Sequence, residues 1–358
     1  MYIYVPNGST SGGVGIISAF KVDPTTGALT PVPGSPFQAG SFVSALVADP
    51  AGRFVYVSGN QSYVSGLWVF SVDPVTGSLT PVYGSPFPGP GHGLAIDPTG
   101  RFLYADNPNT PNSKALEAYS IDPVSGVPTP ILGSPFSAPA AFPLVTDAEG
   151  NSFYYFVSSQ GGLSTDSIDF ETGTPTNVTI TSYSENYNVI PWFAVDPLDR
   201  FVAVNGTSIF EIDAANGRLF APGPVVQNSG VSVFDASGRF LYAYVAECST
   251  SCGPSAFQVD PTTGALTPIT GSNFSTTAFL SMIADPLDRY IYAVGNNPGG
   301  QGTALFAYSM DPSTGALTPV PGTPLPMSYA GNFNSPMAIT FAPTGMDNPV
   351  PTITTLSP

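Results

Sequence analysis

One histidine, two cysteines and two lysines in 358 residues leave few places where this chain could do acid–base, thiol or cationic chemistry. His92 stands in "GPGHGLAID", and an imidazole with an orienting partner could serve as a general base on water. Cys248 and Cys252, in "ECSTSC", are four positions apart. We expect them to form a disulfide, worth about 2 kcal/mol on the loop-entropy estimate for so small a ring. A redox-active pair is the alternative, although the spacing is not Cys-x-x-Cys. Zinc is disfavoured because a single histidine cannot complete a mixed site. Asp106, Glu117, Glu185 and Glu247, with Lys114, fall near segments that connect strand-like runs and are candidate ligand contacts or partners for His92. No calcium-loop spacing links them, so no metal or cofactor is expected.

Most other charges belong to two repeated motifs. The first, "VDPTTGALTPV", recurs seven times, with its aspartate at Asp23, Asp73, Asp122, Asp169, Asp213, Asp260 and Asp311. The second, "ADPAGRFVYV", alternates with it, its aspartate falling at Asp49, Asp97, Asp147, Asp196, Asp235 and Asp285, with "FAPTG" at 341–345 as a seventh version. Together they hold 13 of the 24 acidic residues, which are therefore read as turn residues and not as catalytic or metal clusters. Aspartate accepts backbone N–H bonds, proline presets φ and glycine takes the left-handed position. Two copies read "DPLD", placing Asp199 and Asp288 in that left-handed position, which aspartate tolerates. Arg53, Arg101, Arg200, Arg239 and Arg289 follow the second turn and are expected to pair with acids beside it.

The elements that position these residues are short strands. Segments such as "RFVYV", "RFLYA" and "RYIYAV" are rich in β-branched and aromatic residues, and each repeat reads as four strands, A to D, in an antiparallel meander. Seven such units predict an all-β, seven-bladed β-propeller over residues 1–345. The chain starts on a B strand, "MYIYV", and its last repeat ends after an A strand, so the N-terminal B, C and D strands are expected to pair with the C-terminal A strand and close the ring. In a meander the A–B and C–D turns share one face, and the variable B–C and D–A connections lie on the other, here termed the upper face. His92 begins an A strand and is therefore expected at the upper mouth of the central channel. Residues 346–358, "MDNPVPTITTLSP" from Met346, read as a linker and strand, either the start of an immunoglobulin-like module or an intermolecular strand.

A net charge of −16 with so few cations argues against nucleic acid or anionic membrane as partners. No apolar run is long enough to span a bilayer, and a processed exported chain would read the same way. The motifs "DPxGRFxYV" and "xVDPxTGxLTPV" resemble those of the lactonase-like propeller family, which includes bacterial 6-phosphogluconolactonases, fungal carboxymuconate cyclases and YVTN-repeat proteins. That resemblance implies a seven-bladed fold and, for the family's enzymes, a histidine near His92 and arginines at the channel mouth holding an anionic substrate. Here the arginines fall in turns, which disfavours 6-phosphogluconate and carboxymuconolactone. The expectation is thus an extracellular or cell-surface propeller acting as a non-catalytic binding or structural module for a protein or carbohydrate ligand, or for further copies of itself. The alternative is a lactone hydrolase using His92 on an uncharged or weakly anionic substrate.

Overall fold

The computed structural model describes residues 1–7, 14–40, 42–61, 64–89, 93–107, 116–137, 141–157, 162–182, 192–220, 230–245, 253–269, 278–299, 302–327 and 340–342. They form seven antiparallel sheets, each with its four main strands in the order A-B-C-D. Blade 2 illustrates the unit: Phe42–Ala48 (A), Phe54–Gln61 (B), Val64–Val72 (C) and Leu79–Pro81 (D). Blade 7 repeats it with Phe279–Ala284, Tyr290–Asn296, Thr303–Met310 and Leu317–Pro319. Blade 1 takes Tyr2–Asn7, Ile16–Val22 and Leu29–Pro31 as B, C and D, and Thr340–Ala342 pairs antiparallel with its B strand, Tyr2 opposite Ala342 and Tyr4 opposite Thr340. Both expected readings of residues 346–358 lie outside the described residues.

Strand alternation builds the core. In the first strand Tyr2 and Tyr4 pack with blade 2, whereas Ile3 and Val5 pack with blade 7, so one strand fills two interblade interfaces from opposite faces. The two sequence motifs meet across each interface. The aromatic residue that opens a B strand lies against the glycine of the next blade's C–D turn: a Cβ on Gly77 would come within 2.4 Å of the Tyr2 ring, and one on Gly126 within 2.5 Å of Phe54. Two residues on, the B-strand tyrosine donates its hydroxyl to the same glycine's carbonyl, as Tyr4 does to Gly77 (2.9 Å), Tyr56 to Gly126 (3.1 Å), Tyr104 to Gly173 (3.0 Å) and Tyr242 to Gly315 (2.9 Å). The turn aspartate holds that glycine in place. Asp73 Oδ1 accepts from Val75 N at 2.9 Å and Thr76 N at 2.8 Å, and its backbone carbonyl accepts from Gly77 N at 2.8 Å.

The arginines stitch the same interfaces together. Arg53 donates to Pro123 O (2.9 Å), Arg101 to Phe170 O (2.5 Å), Arg239 to Pro312 O (2.8 Å) and Arg289 to Pro24 O (3.1 Å). These contacts put A–B and C–D turns on one face, here the lower. The expected acid pairs form in three turns, Arg53–Asp49, Arg200–Asp196 and Arg289–Asp285, each at 2.6 Å. In "DPTGR" and "DASGR" a hydroxyl intervenes instead: Arg101 bonds Thr99 and Arg239 bonds Ser237, and those hydroxyls donate to Asp97 and Asp235. Asp199 and Asp288 take the left-handed conformation, with φ of 52° and 55°.

Candidate functional site

The upper ends of the blade 3 strands collect the candidate residues that are described. Phe102–Asp106 (B) ends at Asp106, and Leu116–Ile121 (C) carries Glu117 opposite Ala105. Asp106 is buried and its N–H donates to Gly93 O at 3.0 Å, fixing the B strand beside the start of strand A. Glu117 is clamped at both oxygens, by Asn107 Nδ2 on Oε1 at 2.8 Å and by the Tyr119 hydroxyl on Oε2. Burial first, and then the Glu117 charge and hydrogen bond, raise the Tyr119 pKa, so its phenol remains a proton donor. The D–A crossover passes over this group: a Cβ on Gly89 would lie 3.2 Å from the Tyr119 hydroxyl and 4.0 Å from Glu117 Oε2. In sequence, His92 falls between Gly89 and Gly93.

His92, Lys114, Glu185, Glu247, Cys248 and Cys252 lie outside the described residues. Of the six side chains proposed for the site, the structure therefore places Asp106 and Glu117, and it brings them to one end of one blade. It does not leave Glu117 as a free base, because Asn107 and Tyr119 occupy both oxygens. Among the described residues no group of three or more histidine, cysteine or acidic side chains could hold a metal ion. Nor does a described cationic side chain reach the upper face: five of the six arginines follow A–B turns, Arg218 lies in a C–D turn and Lys21 immediately precedes one.

Reading residues singly missed Asn107 and Tyr119, which orient Glu117. It also missed Asp166, a buried carboxylate that accepts from the Tyr155 hydroxyl at 3.2 Å. The repeat register contained the signal for Asp166. Three residues before the C–D turn aspartate the other blades have Phe20, Phe70, Tyr119, Phe210, Phe257 and Tyr308. An acid in an aromatic series marks an altered interface.

The sequence profile of the family described as "Lactonase, 7-bladed beta-propeller" matches residues 15–142, a stretch that contains His92, Asp106, Lys114, Glu117 and Tyr119. No relative among curated proteins matches the chain. Among solved structures, a 6-phosphogluconolactonase of Bacteroides uniformis, so named provisionally, is similar at 16% identity, with a TM-score of 0.67 and coverage of 91% of this chain and 97% of the other. Its counterpart from Bacteroides fragilis superposes with a TM-score of 0.66 at 16% identity, covering 91% and 95%. The periplasmic gluconolactonase of Pseudomonas aeruginosa superposes with a TM-score of 0.61 at 16% identity, covering 96% of this chain and 100% of the other. At these identities the structures establish the fold, and the profile match carries the family resemblance. That match, to a family described as lactonases, overturns the expectation of a non-catalytic binding or structural module. The chain is a seven-bladed β-propeller that resembles the lactonase propeller family over residues 15–142.

Proposed function

We propose that this protein hydrolyses a lactone at the upper face of blade 3, and that its substrate is uncharged or weakly anionic. The observation that carries the reading is the lactonase profile match over the segment holding the Asp106–Glu117–Tyr119 group. In the reaction a water oxygen adds to the lactone carbonyl carbon while a base takes the water proton. The ring C–O bond then breaks, and the proton passes to the departing alkoxide to give a hydroxy acid. His92 is the proposed base and later the acid, since an imidazole titrates near neutrality. Glu117, held by Asn107 and Tyr119 beneath the Gly89 crossover, is the proposed positioning group for the segment that carries His92. The commitment of the described arginines to lower-face turns supports a neutral substrate, because a phosphate calls for charge-assisted, often bidentate donors.

The test is acid release in a pH-stat assay with glucono-δ-lactone, γ-butyrolactone and 6-phosphogluconolactone, each corrected for spontaneous opening. We expect turnover of a neutral lactone, a loss of about 100-fold in kcat for His92→Gln, and a smaller loss for Glu117→Gln accompanied by a shifted pH profile. Absence of turnover above the spontaneous rate with all three, or full activity in His92→Gln, overturns the proposal.

A further inference from the structure

Three devices join neighbouring blades near the lower face. An aromatic ring at the start of the B strand sits on the next blade's turn glycine, a tyrosine hydroxyl bonds that glycine's carbonyl, and an arginine reaches a turn carbonyl across the interface. Among the described residues, the interface between blades 4 and 5 has none of them. Ser152 stands where the six other B strands open with Tyr2, Phe54, Phe102, Phe201, Phe240 and Tyr290. Tyr154 is at the tyrosine position, but its hydroxyl makes no bond to the Gly217 carbonyl. Asn151 replaces the arginine, and its amide turns back to Glu149 Oε2 at 2.8 Å, within its own turn. The other six interfaces each keep at least two of the three. Blades 5 and 6, for instance, keep Phe201 against Gly264 and Arg200 on Gly238 O at 2.7 Å, and blades 7 and 1 keep Tyr290 against Gly27 and Arg289 on Pro24 O.

Blades 4 and 5 are held instead by an apolar cluster and by acceptors from acid side chains. Tyr154, Phe156 and Leu163 pack with Val202, Val204 and Phe210. At the lower end, Asp199 of blade 5 accepts from Ala148 N at 2.8 Å and Glu149 N at 3.1 Å in blade 4. These bonds bring Asp199 beside Asp147 and Glu149, three acids at one contact. The cations of the flanking turns are committed elsewhere: Arg200 pairs with Asp196 and bonds Gly238 O on the blade 6 side. In the C–D turn that faces Ser152, which also carries Asp213, Arg218 lies over Phe220 of its own blade, 5.9 Å from the ring centroid. Tyr154 is the remaining titratable group, and burial keeps its phenol protonated.

We infer that the interface between blades 4 and 5 is a seam latched by Asp199, at which the ring opens locally while the other six interfaces stay shut. Burial first, then the Asp147 and Glu149 charges, favour the protonated form of Asp199, and burial does the same for Asp147, so ionisation of both loosens the latch. The seam stands independently of the lactone reading, whose residues lie at the upper end of blade 3.

Val202 and Val55 hold the same position in their B strands, each facing the preceding blade, and both are fully buried. Val202 looks across the seam and Val55 across the interface of blades 1 and 2. Labelling of Val202→Cys and Val55→Cys in the full chain with N-ethylmaleimide, located by peptide mass spectrometry, compares the two openings in a ratio that cancels the reagent's own pH dependence. Val202→Cys should react about tenfold faster or more, since each missing hydrogen bond is worth about fivefold. The ratio should grow between about pH 5 and about pH 8. Asn151→Arg with Ser152→Phe supplies the cation and ring of the other blades and should bring the ratio toward one, and Asp199→Asn should remove most of its growth with pH. Equal labelling of the two positions overturns the seam, and growth with pH undiminished in Asp199→Asn overturns the latch. Should either cysteine variant fail to fold, Val204→Cys against Val57→Cys, buried on the same two strands, reads the same ratio.

Discussion

Asp199 stands where Gly52, Gly100 and Gly238 end the equivalent turn, and it does more than tolerate a left-handed φ. Its carboxylate accepts from Ala148 N at 2.8 Å and Glu149 N at 3.1 Å, reaching the A–B turn of the preceding blade. Asp288 repeats this with Ala236 N at 2.5 Å. Burial first, then the neighbouring Asp147 and Glu149 charges, push the Asp199 pKa up to about 6, against the pull of the two N–H bonds. An acid whose pKa is raised by folding binds its proton more tightly in the native state, so stability falls as pH rises from about 4 to about 6. Partly screened by solvent, the effect should be about 1 kcal/mol at pH 7. The C–D turn aspartates work the other way. Backbone N–H bonds lower the pKa values of Asp73, Asp122, Asp169 and Asp260, so their contribution holds above the ordinary carboxylate range and is lost as pH falls below it. Thermal unfolding from pH 4 to 8 should thus show maximal stability near pH 5. Asp199→Asn, which keeps one acceptor and the left-handed tolerance, should raise Tm at pH 7 and flatten the decline above pH 5. A lower Tm at pH 7 would mean that the two N–H bonds outweigh the desolvation.

At the scale of the element, the C–D turn is both a hairpin and a socket for the neighbouring blade. Gly77 has φ 75°, and a side chain there would also overlap the Tyr2 ring. Gly322 has φ 85° with no atom within 4 Å of a built Cβ. The pair separates two costs. Gly322→Ala should lose about 1–2 kcal/mol, the left-handed backbone term, whereas Gly77→Ala should lose about 2 kcal/mol more because the Tyr2 ring must move. Denaturant unfolding of both variants measures the difference, and equal losses would show that the socket is soft. The turn itself was legible in the sequence, since its aspartate, proline and glycine are local chemistry. The socket was visible only as two motifs that recur together, because its partners are about 70 residues apart and no local rule joins them. The site was less legible still. Glu117 stood out as an isolated acid, but Asn107 and Tyr119, which hold it, look like ordinary loop and strand residues until the B–C register is known. Ser152 and Asp166 are unremarkable in their own segments and conspicuous only against the other blades.

For the whole molecule, the first strand is the point at which sequence-distant parts depend on one another. Tyr2 to Val5 are all essentially inaccessible to solvent, two facing blade 2 and two facing blade 7, while the strand also pairs with Thr340–Ala342. Burying four such side chains contributes roughly 6–12 kcal/mol, comparable with the entire net stability of a domain, about 5–15 kcal/mol. Arg289 adds a bond from blade 7 to Pro24 in blade 1, 265 positions away in sequence, but one partly exposed contact cannot replace that burial. Deleting residues 1–5 should therefore do more than lower Tm. It exposes the pairing edges of Ile16–Val22 and Thr340–Ala342, and unpaired edges invite association with other chains. Light scattering and thermal unfolding of the shortened chain should show oligomers or aggregate without a cooperative transition near the parent's. Ile3→Ala, which keeps the strand and removes one buried side chain, should remain monomeric and lose about 2–5 kcal/mol. A shortened chain that stays monomeric with the parent's Tm would show that the seven blades do not depend on the first strand, and that the interblade sockets and arginine bonds hold the ring without it.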